Sequence, residues 1–184
     1  VCPYAVGVDI ACRMKMTVLD YPDLAIDGPK FEALRDAIEK GTRFGVGGEY
    51  GRSGRQKHDV MDDPRWESIP MLAALKDTAW SQLGTSGSGN HFAEFGSLSV
   101  PAKNELGLEA GTYVALLSHS GSRGTGARVC DHYSRVAKES LSRRLQEQYP
   151  RLEWLSLDSA EGQEYWIAMN LMGAEGMLYS SYDM

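Results

Sequence analysis

Three loops of small residues divide the chain, and each stands next to a short apolar run. The loops cover residues 9–13, 84–90 and 118–124, and the runs beside them cover residues 14–19, 91–95 and 112–117. Short apolar runs bounded by glycine and serine are typical of strands, because a helix needs a longer periodic pattern. The loops therefore predict a sheet whose strand ends carry polar residues.

Helical patterns lie between and after these runs. Asp27, Gly28 and Pro29 predict a helix that reaches Lys40 and stops at Gly41. Residues 69–83, residues 126–148 and a segment from Gly162 onward also have helical character, whereas residues 41–65 form one long loop rich in glycine, arginine and aspartate. Because strands and helices mix without regular βαβ alternation, the predicted class is α+β.

Composition narrows the class of protein. The 184 residues suit one domain or the larger part of one, and the net charge of −6 supplies no global attraction for nucleic acid, so binding of RNA would need a local basic patch.

Three widely spaced cysteines indicate reduced thiols and a cytoplasmic location. The sequence has no signal-peptide pattern and no apolar run of bilayer length, so no membrane partner is expected. The chain opens at Val1 within an apolar stretch and ends within a helical one, which we interpret as part of a longer domain.

Each of the three loops is expected to place side chains that can bind a metal ion at the end of an apolar strand, and for Cys12 that strand is the apolar stretch of residues 6–10. The candidates are Asp9 and Cys12, then Asn90 and His91, then His119. Thiolate and imidazole donors brought together by rigid elements favour zinc on chemistry alone. Other interpretations stay open at this point, since Cys12 also fits a small buried apolar residue and His91 a core histidine. The two remaining histidines have no such setting and are interpreted as surface or helix residues: His58 and His132.

The loop SHSGSRG (residues 118–124) also fits a phosphate. Consecutive small residues before a helix can direct several backbone N–H groups at one anion, and Arg123 adds a forked guanidinium. The predicted helix that follows is the most basic stretch of an acidic chain, although a solvated helix face would look the same. Its cations are Arg128, Arg135, Lys138, Arg143 and Arg144.

Taken together, three motifs resemble those of one family, the RtcB-type RNA ligases. VGVDIACRM (residues 6–14) is similar to the family's VGVDIGCGM, GSGNHFAE (residues 87–94) to its GSGNHF-x-E, and HSGSRG (residues 119–124) to its HSGSRG. Their order and spacing fit as well. The resemblance implies a GTP- and manganese-dependent ligase of RtcB-like α+β fold that joins RNA 2′,3′-cyclic phosphate or 3′-phosphate ends to 5′-hydroxyl ends, in tRNA splicing or RNA repair. It implies three partners: such RNA ends, GTP and an activating protein.

The resemblance also implies roles for individual residues. Asp9, Cys12 and His91 would hold one of two manganese ions, and Cys12 would bridge to a second ion that His119 also binds. The guanine nucleotide would contact the stretch Asn90, His91, Phe92, Ala93 and Glu94. Catalysis would involve Asn90, together with Arg123 beside the RNA phosphate. The metal site would lie where strand ends converge.

Two departures from the family pattern affect the expected activity. Ala11 and Arg13 replace glycines on either side of Cys12, which indicates a divergent subgroup. The family's guanylylated histidine and its C-terminal lysine correspond to positions beyond residue 184, so residues 1–184 would form the N-terminal and central part of one catalytic domain and would not ligate RNA alone. The alternatives are a nucleotide- or RNA-binding module without ligase activity and a metal-dependent phosphoesterase.

Overall fold

A computed structural model describes residues 1–20 and 28–173, in which helices and one antiparallel sheet confirm the α+β class. The strands are β1 (Arg13–Leu19), β2 (Phe92–Val100) and β3 (Gly111–Ser120). The helices are α1 (Pro3–Val6), α2 (Gly28–Gly41), α3 (Arg65–Ser68), α4 (Pro70–Gln82), α5 (Arg123–Ser140), α6 (Arg143–Gln148) and α7 (Ala160–Met172). The long loop before α3 contains two short 3₁₀ turns, Arg52–Gly54 and Asp59–Asp62.

The sheet has the order β1-β3-β2, with both outer strands antiparallel to β3. Met14 of β1 and Phe92 of β2 both pair with His119, so the first residues of the outer strands flank the last residues of the central one. Because side chains alternate along a strand, all three lie on one face. The opposite face carries Phe95 and Leu116, which line a cavity of about 220 Å³ together with residues of α2.

Helices α1, α3, α4, α5 and α7 pack around one apolar core. In α4 the buried residues Leu72, Leu75 and Ala79 recur at three- and four-residue spacing, which is why this helix follows from the sequence. Trp66 is fully buried at the centre, and its indole N–H donates to the carbonyl oxygen of Val60 at 2.7 Å. None of the candidate metal ligands belongs to this core.

Several predicted boundaries were wrong. The apolar stretch before Cys12 was expected to be extended, but residues 3–6 form the one-turn helix α1, so Asp9 and Cys12 precede a strand instead of following one. His119 was placed in a loop and lies inside β3, because pairing with both neighbours extends that strand to Ser120. The single helix predicted over residues 126–148 begins earlier, at Arg123, and breaks at residues 141–142 into α5 and α6.

Other predictions either hold or lie outside the described residues. The helices α2 and α4 and the long loop over residues 41–65 are confirmed, apart from the two short turns within that loop. Asp27 and the segment after residue 173 fall outside the described part of the chain. Within the described residues, no helix combines the length and the apolar character that crossing a membrane would require.

Candidate metal centre

The sheet register brings three potential metal ligands together. The sulfur of Cys12 and ring nitrogens of His91 and His119 all lie within 4.8 Å of one another. Cys12 directly precedes β1, His91 directly precedes β2, and His119 lies at the end of β3, so the pairing of the strands creates the cluster. These three predicted ligands therefore do meet where strand ends converge.

Asp9 completes the cluster as a fourth donor. Its Oδ2 lies 2.7 Å from His91 Nε2 and 3.3 Å from Cys12 Sγ, and the sulfur lies 3.3 Å from the same ring nitrogen. Two donor atoms bound tetrahedrally to one ion lie about 3.3–3.7 Å apart, given bond lengths of about 2.0–2.3 Å. The two distances from the sulfur fall within this range, so Cys12 is placed to share an ion with either neighbour. Asp9 and His91 lie at hydrogen-bond distance, and an ion bound between them would have to separate the two side chains.

The N-terminus of α5 orients the Asp9 carboxylate. The backbone N–H of Ser122 donates to Oδ1 at 2.8 Å, and the Ser122 hydroxyl donates to the same oxygen at 3.2 Å. Oδ2 is thereby directed toward Cys12 and His91. The loop SHSGSRG was predicted to direct its backbone N–H groups at a phosphate, but the Ser122 N–H serves this carboxylate instead. The hydroxyl of Ser122 makes no capping hydrogen bond within α5, so no local helix signal in the sequence indicated this contact.

A close backbone approach at Gly121 fixes the position of Asp9. A Cβ atom at residue 121 would lie 2.1 Å from Asp9 Oδ1 and 2.6 Å from the carboxylate carbon. Real Cβ atoms do not approach so closely, so any side chain here displaces the carboxylate. Gly121 is therefore part of the site although it offers no ligand.

Replacing Gly121 by alanine is expected to weaken metal binding about 10- to 100-fold, the range seen when groups that orient a ligand are removed. The four donor residues remain unchanged, so the loss would report the displaced carboxylate. Gly96→Ala is the matched control, because a Cβ atom there meets nothing within 4 Å. Metal titration of both full-length variants gives the measurement, and equal affinities would contradict the steric argument.

Burial shapes the protonation of the cluster. Desolvation, reinforced by the hydrogen bond to Asp9, raises the pKa of the Cys12 thiol to about 11. The side chain of His91 is only 5% exposed, and burial lowers its pKa, so its ring is neutral near pH 7. An ion that binds here would have to displace the thiol proton. The neutral ring of His91 accepts from Arg123 through Nδ1, so its own proton, on Nε2, would also have to leave the nitrogen that faces Asp9 and Cys12.

His119 is held by a loop carbonyl. Its Nδ1 lies 3.0 Å from the carbonyl oxygen of Asn90 and donates to it, which leaves Nε2 with a lone pair. The ring packs edge-on against His91 and Phe92, with centroid distances of 5.3 and 5.7 Å. Asn90, predicted as a catalytic and nucleotide-binding residue, thus also orients a candidate ligand through its backbone.

Arg123 lies beside the cluster at the first residue of α5. Its Nε donates to Thr85 Oγ1 at 3.1 Å, and its Nη1 donates to His91 Nδ1 at 3.1 Å. Burial lowers the pKa of this guanidinium. The side chain lies over Gly87, where a Cβ atom would come within 1.8 Å of Nη1. The glycine-rich loop before His91 therefore makes room for a partly buried cation, a role for Gly87 and Thr85 that the sequence did not suggest.

The predicted nucleotide-binding stretch divides between the two faces of the sheet. Phe92 and Glu94 pair with His119 and Leu117 and share their face, whereas Ala93 lies on the opposite face. There Ala93 lines the cavity beneath α2. A ligand on the metal-cluster face would therefore meet the side chains of Phe92 and Glu94 but only the backbone of Ala93.

Arg13 points away from the cluster. It pairs with Ser120, so alternation along β1 places it on the face opposite to Met14 and His119. Ala11 adopts a φ of 61°, a left-handed conformation that glycine adopts more easily. Relative to the family motif, Arg13 therefore leaves the charge of the cluster unchanged, whereas Ala11 adds local backbone strain.

The remaining histidines and cysteines lie elsewhere. His58 Nδ1 accepts a hydrogen bond from the backbone N–H of Val60 in the long loop, and His132 packs against Tyr133 on α5. Cys2 and Cys130 are free thiols, as is Cys12. These positions agree with the sequence interpretation of His58 and His132 as surface or helix residues, and Cys2 and Cys130 lie outside the cluster as well.

The predicted basic helix is two separate basic segments. Arg128, Arg135 and Lys138 are exposed on α5, and their spacing of seven and three residues places them on one face. Arg143 belongs to α6 and pairs with Glu147, with Arg143 Nε and Glu147 Oε1 2.9 Å apart. Arg128, Arg135 and Lys138 therefore form an exposed face of α5 that also carries Asp131, and Arg143 and Arg144 belong to a separate helix.

Comparison with known proteins identifies the class of protein to which this fold and cluster belong. A family model described as tRNA-splicing ligase RtcB matches residues 67–175. The chain is 26% identical to RNA-splicing ligase RtcB homolog 2 of Entamoeba dispar, an alignment covering 92% of the chain and 38% of that relative. It is 31% identical to tRNA-splicing ligase RtcB of Methanococcus maripaludis, over 76% of the chain and 30% of the relative.

A third relative agrees with these. RNA-splicing ligase RtcB of Mycobacterium tuberculosis is 28% identical over 92% of the chain and 46% of the relative. The chain belongs to the RtcB family, because the family model matches more than half of it. It spans less than half the length of each of these three relatives.

Proposed function

We propose that this chain provides the metal- and phosphate-binding part of a GTP- and manganese-dependent RNA ligase. The complete protein would join RNA ends bearing a 2′,3′-cyclic phosphate or 3′-phosphate to 5′-hydroxyl ends, in tRNA splicing or RNA repair. The observation that carries the proposal is the convergence of Asp9, Cys12, His91 and His119 beside Arg123, in a chain of the RtcB family.

In this proposal the four donors would hold two manganese ions. Asp9, Cys12 and His91 would bind one ion, and Cys12 and His119 would share the second. Bound ions would polarise phosphate oxygens and neutralise charge that develops on them. The donor set itself favours zinc, so the assignment of manganese rests on the family resemblance.

Arg123 and the α5 surface would bind the RNA phosphates. The Arg123 guanidinium has five N–H donors in a planar fork, of which two contact Thr85 and His91. Such a fork suits a phosphate that approaches the cluster. The exposed cations of α5 would extend this attraction along the RNA strand, since the overall charge of −6 cannot supply it.

The guanine nucleotide would contact Asn90, Phe92 and Glu94, which lie on the metal-cluster face or in the loop leading to it. The histidine that becomes guanylylated would belong to the part of the protein that follows residue 184. This assignment is supported by the positions of His58 and His132, which contact Val60 and Tyr133 rather than the cluster.

The complete protein is expected to join a 3′-phosphorylated RNA to a 5′-hydroxyl RNA when GTP and manganese are present. Denaturing gel electrophoresis of labelled RNA separates the joined product from the substrates. Arg123→Ala is expected to reduce joining about 10²-fold or more, because a preorganised cation beside the reacting phosphate is lost. Leu152→Ala, a change at an exposed residue outside the cluster, serves as the control.

The same assay tests the two alternatives. Removal of the terminal phosphate without joining would identify a phosphoesterase. Binding of the RNA to the protein, with neither joining of the ends nor removal of the terminal phosphate, would identify a binding module. The orientation of Arg13 away from the cluster removes one of the reasons for the binding-only alternative.

A further inference from the structure

Beside the candidate metal centre lies an open cavity of about 280 Å³ whose lining is chemically mixed. Its polar lining includes Asp9, His91 and Arg123, the groups proposed to act on metal and phosphate, as well as Gln82 and Ser88. Its exposed apolar lining residues are Val8 and Val46. The volume is near the lower end of the range for small-molecule sites, which suits one nucleotide rather than a longer strand.

Val46 stands at the tip of a loop with an unusual backbone. It is 93% exposed, and the glycines on either side of it have φ angles of 94° and 72°. Glycine adopts such positive φ angles without the strain that a side chain would bring. The loop thus presents to solvent a valine that lines the cavity, and Val8, 48% exposed, lines the same cavity.

The base of this loop is hydrogen-bonded to the loop that leads to His91. The Gly45 N–H donates to the carbonyl oxygen of Gly87 at 2.8 Å, and the Ser86 N–H donates to that of Arg43 at 3.0 Å. Gly87 also contacts Arg123, since no Cβ atom would fit between them. The position of Val46 is therefore tied to the groups proposed to hold the phosphate.

We propose that Val8 and Val46 form a wall that contacts the base of the nucleotide whose phosphate lies at Arg123 and the metal cluster. This inference rests on the proposed function and adds a base-binding contact to it. A nucleobase has a flat apolar surface joined through a sugar to a phosphate, so it matches a cavity whose lining combines exposed valines with charged groups. Apolar contact favours any base over none without reading its hydrogen-bonding edge, as stacking platforms do.

The test compares ligands with and without a base in the full-length protein. The probes are manganese, inorganic phosphate, GTP and a short RNA with a 3′-phosphate. Val46→Asp is expected to weaken the base-containing ligand about fivefold or more, because an apolar contact is replaced by a charge. Binding of inorganic phosphate is expected to fall by less, because the added carboxylate repels it but removes no apolar contact from it. Val46→Ala adds no charge and is expected to leave binding of manganese and of inorganic phosphate unchanged. For the base-containing ligand, Val46→Ala should give a smaller loss in the same direction.

Leu106→Asp is the matched control, since Leu106 is an apolar residue 54% exposed in the loop between β2 and β3, away from the cavity. Weaker binding of GTP alone would show that the wall contacts the guanine. Weaker binding of the RNA alone would show that it contacts an RNA base. Equal affinities of wild type and Val46→Asp for all probes would overturn the inference while leaving the proposed function intact. A lowered melting temperature for Val46→Asp would also overturn it, because Val46 would then pack against protein.

If the wild type binds neither manganese nor inorganic phosphate, the proposed function fails and the inference fails with it. The two failures are therefore distinguishable by the probes that lack a base.

Discussion

Replacing Cys12 by alanine is expected to abolish manganese binding by the full-length protein. The thiol lies 3.3 Å from both Asp9 and His91 and within 4.8 Å of a ring nitrogen of His119, so it is the donor at the centre of the cluster. Loss of groups that only orient ligands lowers metal affinity about 10- to 100-fold, and loss of a shared ligand should exceed that. Metal content measured by mass spectrometry after gel filtration gives the result.

Cys2→Ala is the matched control for this experiment. Cys2 is also a free, partly buried thiol, but it precedes α1 and lies outside the cluster. Cys130→Ala should keep its metal too, although its buried thiol contacts the carbonyl oxygen of Pro3 and its loss would cost about 1 kcal/mol of stability. Equal metal content in all three variants would refute the assignment of Cys12. Retention of zinc in preference to manganese would support the cluster and correct the identity of the ion.

Full-length protein incubated with labelled GTP and manganese is expected to acquire a covalent guanylyl label, and Asp9→Ala or His91→Ala is expected to lose it. Both residues belong to the cluster that would position the triphosphate, and neither would be the nucleophile. The labelled residue should be a histidine beyond residue 184, identified by mass spectrometry of peptides. The chain of residues 1–184 alone should form no adduct.

His132→Ala is the control for this labelling experiment, because His132 packs against Tyr133 on α5 and does not contact the cluster. A label on any residue within 1–184 would contradict the proposed division of labour between the two parts of the protein. Undiminished labelling of the Asp9→Ala and His91→Ala variants would contradict it as well. Melting temperatures of the variants separate loss of the site from loss of the fold.

The sequence predicted the parts of this structure that depend on local pattern. Helix α4 follows from the spacing of Leu72, Leu75 and Ala79, and the candidate ligands follow from polar residues in small-residue loops. The meeting of Cys12, His91 and His119 depends on β1 and β2 pairing with β3. Such pairing joins residues far apart in the chain, and neither periodicity nor loop composition specifies the partner strand.

The support around the ligands was harder to predict than the ligands themselves. Ser122 orients Asp9 from a position 113 residues away in the chain, and Arg123 reaches His91 across 32 residues. Both contacts require the start of α5 to be placed at Arg123, three residues before the predicted boundary. The sequence therefore indicated Arg123 as a phosphate-binding residue, but it did not indicate the contact of Arg123 with His91 or that of Ser122 with Asp9.

The contact between Gly121 and Asp9 has a consequence for recognising inactive members of such a family. A family member that keeps the aspartate, the cysteine and both histidines would be classified as metal-binding if only the ligands were compared. If it carried even an alanine at the position of Gly121, the carboxylate would be pushed aside and the ion would be held more weakly. Position 121 should therefore be inspected together with the ligands when such sequences are compared.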